Sequence, residues 1–171
     1  GPKDIQIVKP TLQTNRFGVD FQTLEHNTSS SNFFLAVAQQ TTLKEINDAL
    51  GQNQDVILTP GTYDFGGESI VLSGQLLFGL GVPRVVNSGV TGYGSICGII
   101  FQAGTDPDRV LVDLKPDQPS MLWDVYCRVG GGNQNADGSY PVGKAKTMIK
   151  CAGAGSVLDN VWCWVAEHYG N

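Results

Sequence analysis

Gly98-Ile99-Ile100-Phe101-Gln102-Ala103-Gly104, Asp124-Val125-Tyr126-Cys127-Arg128-Val129-Gly130 and Asn160-Val161-Trp162-Cys163-Trp164-Val165-Ala166 superimpose without a gap. Each opens on a small or turn-forming residue, carries apolar side chains at its second, fourth and sixth places, and closes on a small residue. Such alternation marks a strand with one buried face. The intervals are 26 residues (98 to 124) and 36 residues (124 to 160). Strands recurring in this way predict coils whose equivalent segments lie side by side, each burying the apolar face of its neighbour. Leu76-Leu77-Phe78-Gly79-Leu80-Gly81 and Val56-Ile57-Leu58 read as the same strand one and two coils earlier. A loop-like insertion over 130–146 accounts for the longer last interval.

The rest of the chain fits a mostly β fold. Twenty-two of 171 residues are glycine, well above the usual ~7%, and they separate short β-branched runs. Residues 1–32 are polar with little periodicity beyond Ile5-Gln6-Ile7-Val8, and read as an extended arm and loop. Phe33-Phe34-Leu35-Ala36-Val37-Ala38 reads as a strand. Thr42-Leu43-Lys44-Glu45 is a capping-box sequence opening one helix over about 42–50, with Leu43, Ile46 and Leu50 at helical spacing and Gly51 as its stop. A β-sandwich would need hairpins with tight two-residue turns. Asp137-Gly138 is the one dipeptide of that kind, and it lies in the insertion. A right-handed parallel β-helix (solenoid) is therefore the expected fold, spanning 33–171, with the short helix capping its N-terminal end.

Composition excludes several partners. Eleven basic residues against sixteen acidic give a net charge of -5, with no basic cluster longer than Lys144-Ala145-Lys146, so nucleic acid is not an expected partner. No apolar run approaches the ~20 residues of a membrane span. Four cysteines without C-x-x-C spacing support neither a dense disulfide framework nor a structural zinc site, and no metal or cofactor is expected. Asn27-Thr28-Ser29 is a glycosylation sequon. Gly1-Pro2 matches the remnant of a tag-removing protease, so the absence of an export signal is uninformative.

The series from residue 33 through Asp55-Val56-Ile57-Leu58-Thr59-Pro60-Gly61-Thr62-Tyr63, Leu77-Phe78-Gly79-Leu80-Gly81 and the three aligned strands to Glu167-His168 resembles the start of the pectate-lyase-like β-helix superfamily. The similarity lies with the branch related to family 55, laminarinase-like glucanases, and covers about 33–171. It implies an extracellular protein, several hundred residues long in relatives, of which this chain is a C-terminally truncated N-terminal portion. It also implies that a catalytic acid, where the family has one, lies in later coils, so no catalytic role carries over to a residue here.

Period-two alternation makes its own prediction about chemistry. If Val125, Cys127 and Val129, and likewise Val161, Cys163 and Val165, point inward, then Tyr126, Arg128, Trp162 and Trp164 point out as one face. Sugar C–H faces pack on aromatic rings while a guanidinium bonds hydroxyls, so these four, with His168 beside them, are the candidate substrate-binding residues. Burial beneath the 130–146 loop, or against further parts of the parent protein, is the competing reading. Glycoside hydrolysis needs two carboxyls. Asp124 and Asp159 stand at coil corners, where they satisfy turn backbone, which leaves Glu167 as the weak catalytic candidate. A lyase would want a calcium-binding acidic cluster, and Asp106 and Asp108 beside Arg109 are a poor approach to one. Cys127 and Cys163 stack in adjacent coils; aligned parallel positions strain a disulfide, and a ladder of small buried hydrophobes is the favoured reading. Cys97 and Cys151 read as core residues in other registers.

The function expected is that of the N-terminal β-helix portion of an extracellular glycoside hydrolase acting on a β-glucan-like polysaccharide, inactive alone. The alternative is a non-catalytic glycan-binding or structural, adhesive β-helix module. The expected partners are polysaccharide and, at the C-terminal strand edge, the remaining coils of the parent or a self-associating copy; no membrane is expected.

Overall fold

The computed structural model describes residues 7–9, 26–28, 32–131, 137–139 and 142–166. The chain divides into two units, residues 1–33 and 34–171. In the first, β1 (Ile7–Lys9) pairs antiparallel with β2 (His26–Thr28), Val8 opposite Asn27. The second strand falls where the sequence reads as a loop, because His-Asn-Thr carries no alternation.

The second unit holds β3 (Phe33–Ala36) from its second residue onward, the helix α1 (Leu43–Gly51), and strands β4 (Asp55–Leu58), β5 (Thr62–Asp64), β6 (Ser69–Gly79), β7 (Arg84–Val86), β8 (Gly89–Cys97), β9 (Ile100–Gln102), β10 (Val110–Leu114), β11 (Met121–Trp123), β12 (Tyr126–Gly130), β13 (Thr147–Cys151), β14 (Val157–Asp159) and β15 (Trp162–Ala166). Among the described residues, the strands β4 to β15 pair in parallel. The strands form three stacks, each with an apolar inner row. In the first, Ile70, Val90, Val112 and Ile149 align along β6, β8, β10 and β13. In the second, Val56, Leu77, Ile96, Leu122 and Leu158 align along β4, β6, β8, β11 and β14. In the third, Tyr63, Val85, Phe101, Cys127 and Cys163 align along β5, β7, β9, β12 and β15.

Two long strands serve two stacks each. β6 and β8 break register between Ser73 and Leu76, where Gly74 and Gly94 adopt φ of 106° and 148°, a bend that side-chain-bearing residues resist. This overturns one sequence expectation. Leu76–Gly81 and Val56–Leu58 do not precede the 98, 124 and 160 segments in one stack: Val56 pairs with Leu77 in the second stack, whereas Thr62–Asp64 and Arg84–Val86 precede Ile100–Gln102 in the third.

The helix forms as its capping box dictates. Glu45 N–H donates to Thr42 Oγ1 at 3.3 Å, and the Thr42 backbone N–H donates to Glu45 Oε2 at 2.8 Å. Helical geometry runs through Gly51, with Gln52 as the C-cap, so the stop falls one residue beyond the glycine that marks it in the sequence. Ile46, Ala49 and Leu50 are buried. On the same helix, Asn47 acts as a surrogate strand: its Nδ2 donates to Ser69 O at 3.3 Å and its Oδ1 accepts from Val71 N at 3.0 Å, answering backbone groups along β6.

Thr42→Ala is expected to cost about 1 kcal/mol of stability, the usual worth of an N-cap, read as a lower urea midpoint. The Thr42 backbone N–H and its hydroxyl, each donating to Glu45 Oε2 at 2.8 Å, hold the Glu45 carboxyl below its ordinary value. A depressed carboxylate stabilises above its unfolded pKa and loses that contribution as pH falls through the folded value. Protection of the first-turn amides, taken relative to their intrinsic exchange at the same pH, is therefore expected to fall on acidification below the glutamate range, and less so in Glu45→Gln.

Candidate functional site

The third stack carries the outward face anticipated from the alternation. Cys127 sits inside at 0% exposure, so its neighbours Tyr126 and Arg128 project to the opposite side of the sheet. Ile100, Tyr126 and Trp162 align as one outward row, and Gln102, Arg128 and Trp164 as the next. Tyr126 and Trp162 meet edge to face with centroids 5.4 Å apart and an interplanar angle of 63°. Trp164 lies 6.4 Å from Tyr126 and 6.5 Å from Trp162, at 32° to each. The rings form a faceted cluster, and Trp162 remains 65% exposed.

Arg128 is half-buried at the edge of this cluster. Its Nη2 donates to Gln102 Oε1 at 2.6 Å, while its Nε is buried without an acceptor, an arrangement that costs about 1–3 kcal/mol. The Gln102 side chain, 8% exposed, thus orients the guanidinium from the preceding coil. Sequence reasoning passed over Gln102, although the gapless alignment sets it directly against Arg128.

The carboxylates fare differently. Asp124 and Asn160 occupy the left-handed corner conformation, φ 54° and 49°, and Asn160 Nδ2 donates to Asp124 Oδ1 at 2.6 Å. The Asp124 N–H in turn donates to Asp159 O at 3.2 Å. Asp124 is thereby engaged in the turn, as the corner position implies. Glu167 and His168 lie outside the described residues. Asp106 closes a local turn, accepting from Asp108 N–H at 2.9 Å and pairing with Arg109 at 3.4 Å. Among the described residues, no three His, Cys, Asp or Glu side chains converge as metal ligands do.

The inner side of the last coil departs from expectation. Val125 and Cys127 are buried and Val129 packs against the core, but in the next coil only Val161 does so. Cys163 is exposed and Val165 is 50% exposed. Leu158, one stack over, is 48% exposed where Leu122 is fully buried. Among the described residues no strand pairs with the far edges of β13, β14 and β15, so positions that alternation marks as inward have no coil against them.

Parallel strands in stacked register, with aligned apolar rows inside, define a repeat-built, mostly β protein. The chain belongs to the LAM55 pectate lyase-like domain family, whose model matches residues 33–171. An exo-beta-1,3-glucanase of Streptomyces sp. (strain SirexAA-E / ActE) is 26% identical to it over 184 residues, an alignment taking in 96% of this chain. The chain spans 29% of that relative's length. No solved structure matches it significantly. No described helix is long and apolar enough to cross a membrane.

Proposed function

We propose that this chain is the N-terminal right-handed β-helical portion of a secreted glycoside hydrolase acting on a β-glucan-like polysaccharide, and that Tyr126, Arg128, Trp162 and Trp164, with His168, form part of its substrate groove. The observation that carries this reading is the exposed ring cluster on the third stack. Large aromatic faces seldom remain in water without use, and a pyranose offers both the C–H surface to cover them and the hydroxyls to meet Arg128. The family and the glucanase relative support glucan as the substrate class. Glu167 remains the one candidate acid within the chain, and catalysis belongs to the larger parent. Further coils of the parent, or a second copy, cover the open edges of β13, β14 and β15; sedimentation of the isolated chain at rising concentration is expected to show association.

The engagement of Asp124 with Asn160 favours a second reading, a glycan-binding or structural module without hydrolysis. Co-sedimentation with insoluble β-glucan, together with reducing-sugar release, separates the two. Retention of this chain, lost at least tenfold in Trp162→Ala/Trp164→Ala, with hydrolysis by the extended parent alone, supports the enzyme reading. Retention without hydrolysis by either supports the module, and undiminished retention in the double variant removes the ring cluster from the site.

A further inference from the structure

Successive coils pass from the second stack to the third through a corner. Aligned on the register Arg84, Ile100, Tyr126, Trp162, the corner residues are Val82, Gly98, Asp124 and Asn160, all left-handed, with φ of 55°, 67°, 54° and 49°. Glycine, aspartate and asparagine suit that conformation, whereas a β-branched residue resists it. The corner before Arg84 is also longer, holding residues 80–83 where the others hold 98–99, 124–125 and 160–161. This turn presents Leu80 and Val82, 50% and 56% exposed. The strain at Val82 secures little packing, so the residue type answers to something outside the fold. Coils on both sides fix the turn: Leu80 N–H donates to Leu58 O at 2.9 Å, Arg84 N–H to Gly61 O at 2.8 Å, and Pro83 O accepts from Ile100 N–H at 3.0 Å. It lies within the stacks, away from the open edges of β13, β14 and β15.

Arg84 follows Val82 by two residues. Val85 beside it is buried, so Arg84 joins the outward row that continues through Ile100, Tyr126 and Trp162. Its Nη2 donates to Thr62 Oγ1 at 3.1 Å, and Thr62 stands directly opposite it on β5. Arg128 is held in the same manner by Gln102, opposite it on the coil before. Two outward guanidiniums on one face are thus each oriented by a side-chain oxygen of the preceding coil. A guanidinium fixed in this way loses less freedom on meeting a ligand.

We propose that Arg84, Leu80 and Val82 form a further glycan subsite on the face that carries the ring cluster. The inference rests on the reading of that cluster as a glycan-binding surface. A pyranose offers C–H faces to Leu80 and Val82 and hydroxyls to the Arg84 guanidinium. Tyr126 stands two coils beyond Arg84 and Trp162 three, about 10 Å and about 14 Å along the stack at ~4.8 Å per coil. One sugar seated on the indole of Trp162 cannot reach Arg84, so the subsite engages only a longer chain laid across the coils. The ligand is therefore an extended oligosaccharide, and affinity rises with its length until both subsites are filled.

Calorimetric titration of the chain with a β-glucan disaccharide and a β-glucan hexasaccharide tests this. The hexasaccharide is expected to bind about tenfold more tightly than the disaccharide. Val82→Asn keeps the left-handed corner with a residue suited to it, so it should raise the Tm by about 2–4 °C and yet weaken the hexasaccharide about fivefold. Arg84→Gln should weaken the hexasaccharide to a similar degree. Neither substitution should alter disaccharide binding, which Trp162→Ala abolishes. A hexasaccharide that binds no more tightly than the disaccharide, or that Val82→Asn leaves undiminished, overturns the subsite while the ring cluster stands. Binding of neither sugar removes both.

Discussion

Phe101→Ala is expected to lower the unfolding free energy by about 3–5 kcal/mol, a large share of the ~5–15 kcal/mol that holds an ordinary domain together. Phe101 is fully buried and lies between Val85 and Cys127 in the inner row of the third stack. Its two neighbours are smaller, so the ring fills much of the space the row encloses. Those neighbours are fixed by backbone ladders on both sides and cannot collapse into the void, which places the cost toward the upper end. Urea unfolding followed by tryptophan fluorescence measures it, and the midpoint should fall while the slope stays unchanged. Leu80→Ala, half-exposed in the turn before β7, should lower the unfolding free energy by only ~0.5 kcal/mol. Equal effects at the two positions would mean that the third stack is not a continuous core.

Gly92→Ala should be comparably damaging through a different cause. Gly92 pairs with Leu72 on one side and Leu114 on the other, and its φ is 110°. An added Cβ would stand 1.9 Å from Leu72 O and 2.9 Å from the carbonyl carbon behind it. Both obstacles are backbone, so relief requires moving β6 or β8. The carbonyl of Gly92 also accepts from Lys115 N–H at 2.7 Å, which ties the same peptide to the following coil. Backbone strain of about 1–3 kcal/mol and overpacking of about 1–3 kcal/mol together give roughly 2–6 kcal/mol. Gly51→Ala is the control: no heavy atom lies within 4 Å of a Cβ built there, and φ is not positive. It should stabilise by about 0.4–1 kcal/mol. Thermal melts of both variants test the pair, and a Gly92→Ala protein as stable as the parent would show that the ladder yields at that point.

The aromatic face shows how far alternation alone reaches. Three segments matched residue for residue place Tyr126 over Ile100 and Trp162 over Tyr126, and the observed registers are the same. Within a parallel stack the register follows the inward pattern, because a one-residue slip would turn every apolar side chain outward. The ring angles and the grip of Gln102 on Arg128 depend on rotamers that neighbouring coils select, and no single strand encodes them.

By itself the sequence determined the local and the repetitive: the helix, whose capping residues lie three positions apart, and the third-stack strands, whose corner residues and period of two recur intact. Tertiary structure alone decided which stack the earlier strands enter. β6 is one continuous strand from Ser69 to Gly79, but the bend beside Gly74 divides it between two stacks, and a bend acquires a direction only from the strands packed beside it. Exposure followed the same rule. Cys127 and Cys163 share residue type, row and alternation phase, and they differ because burial is conferred by whatever coil lies against a residue.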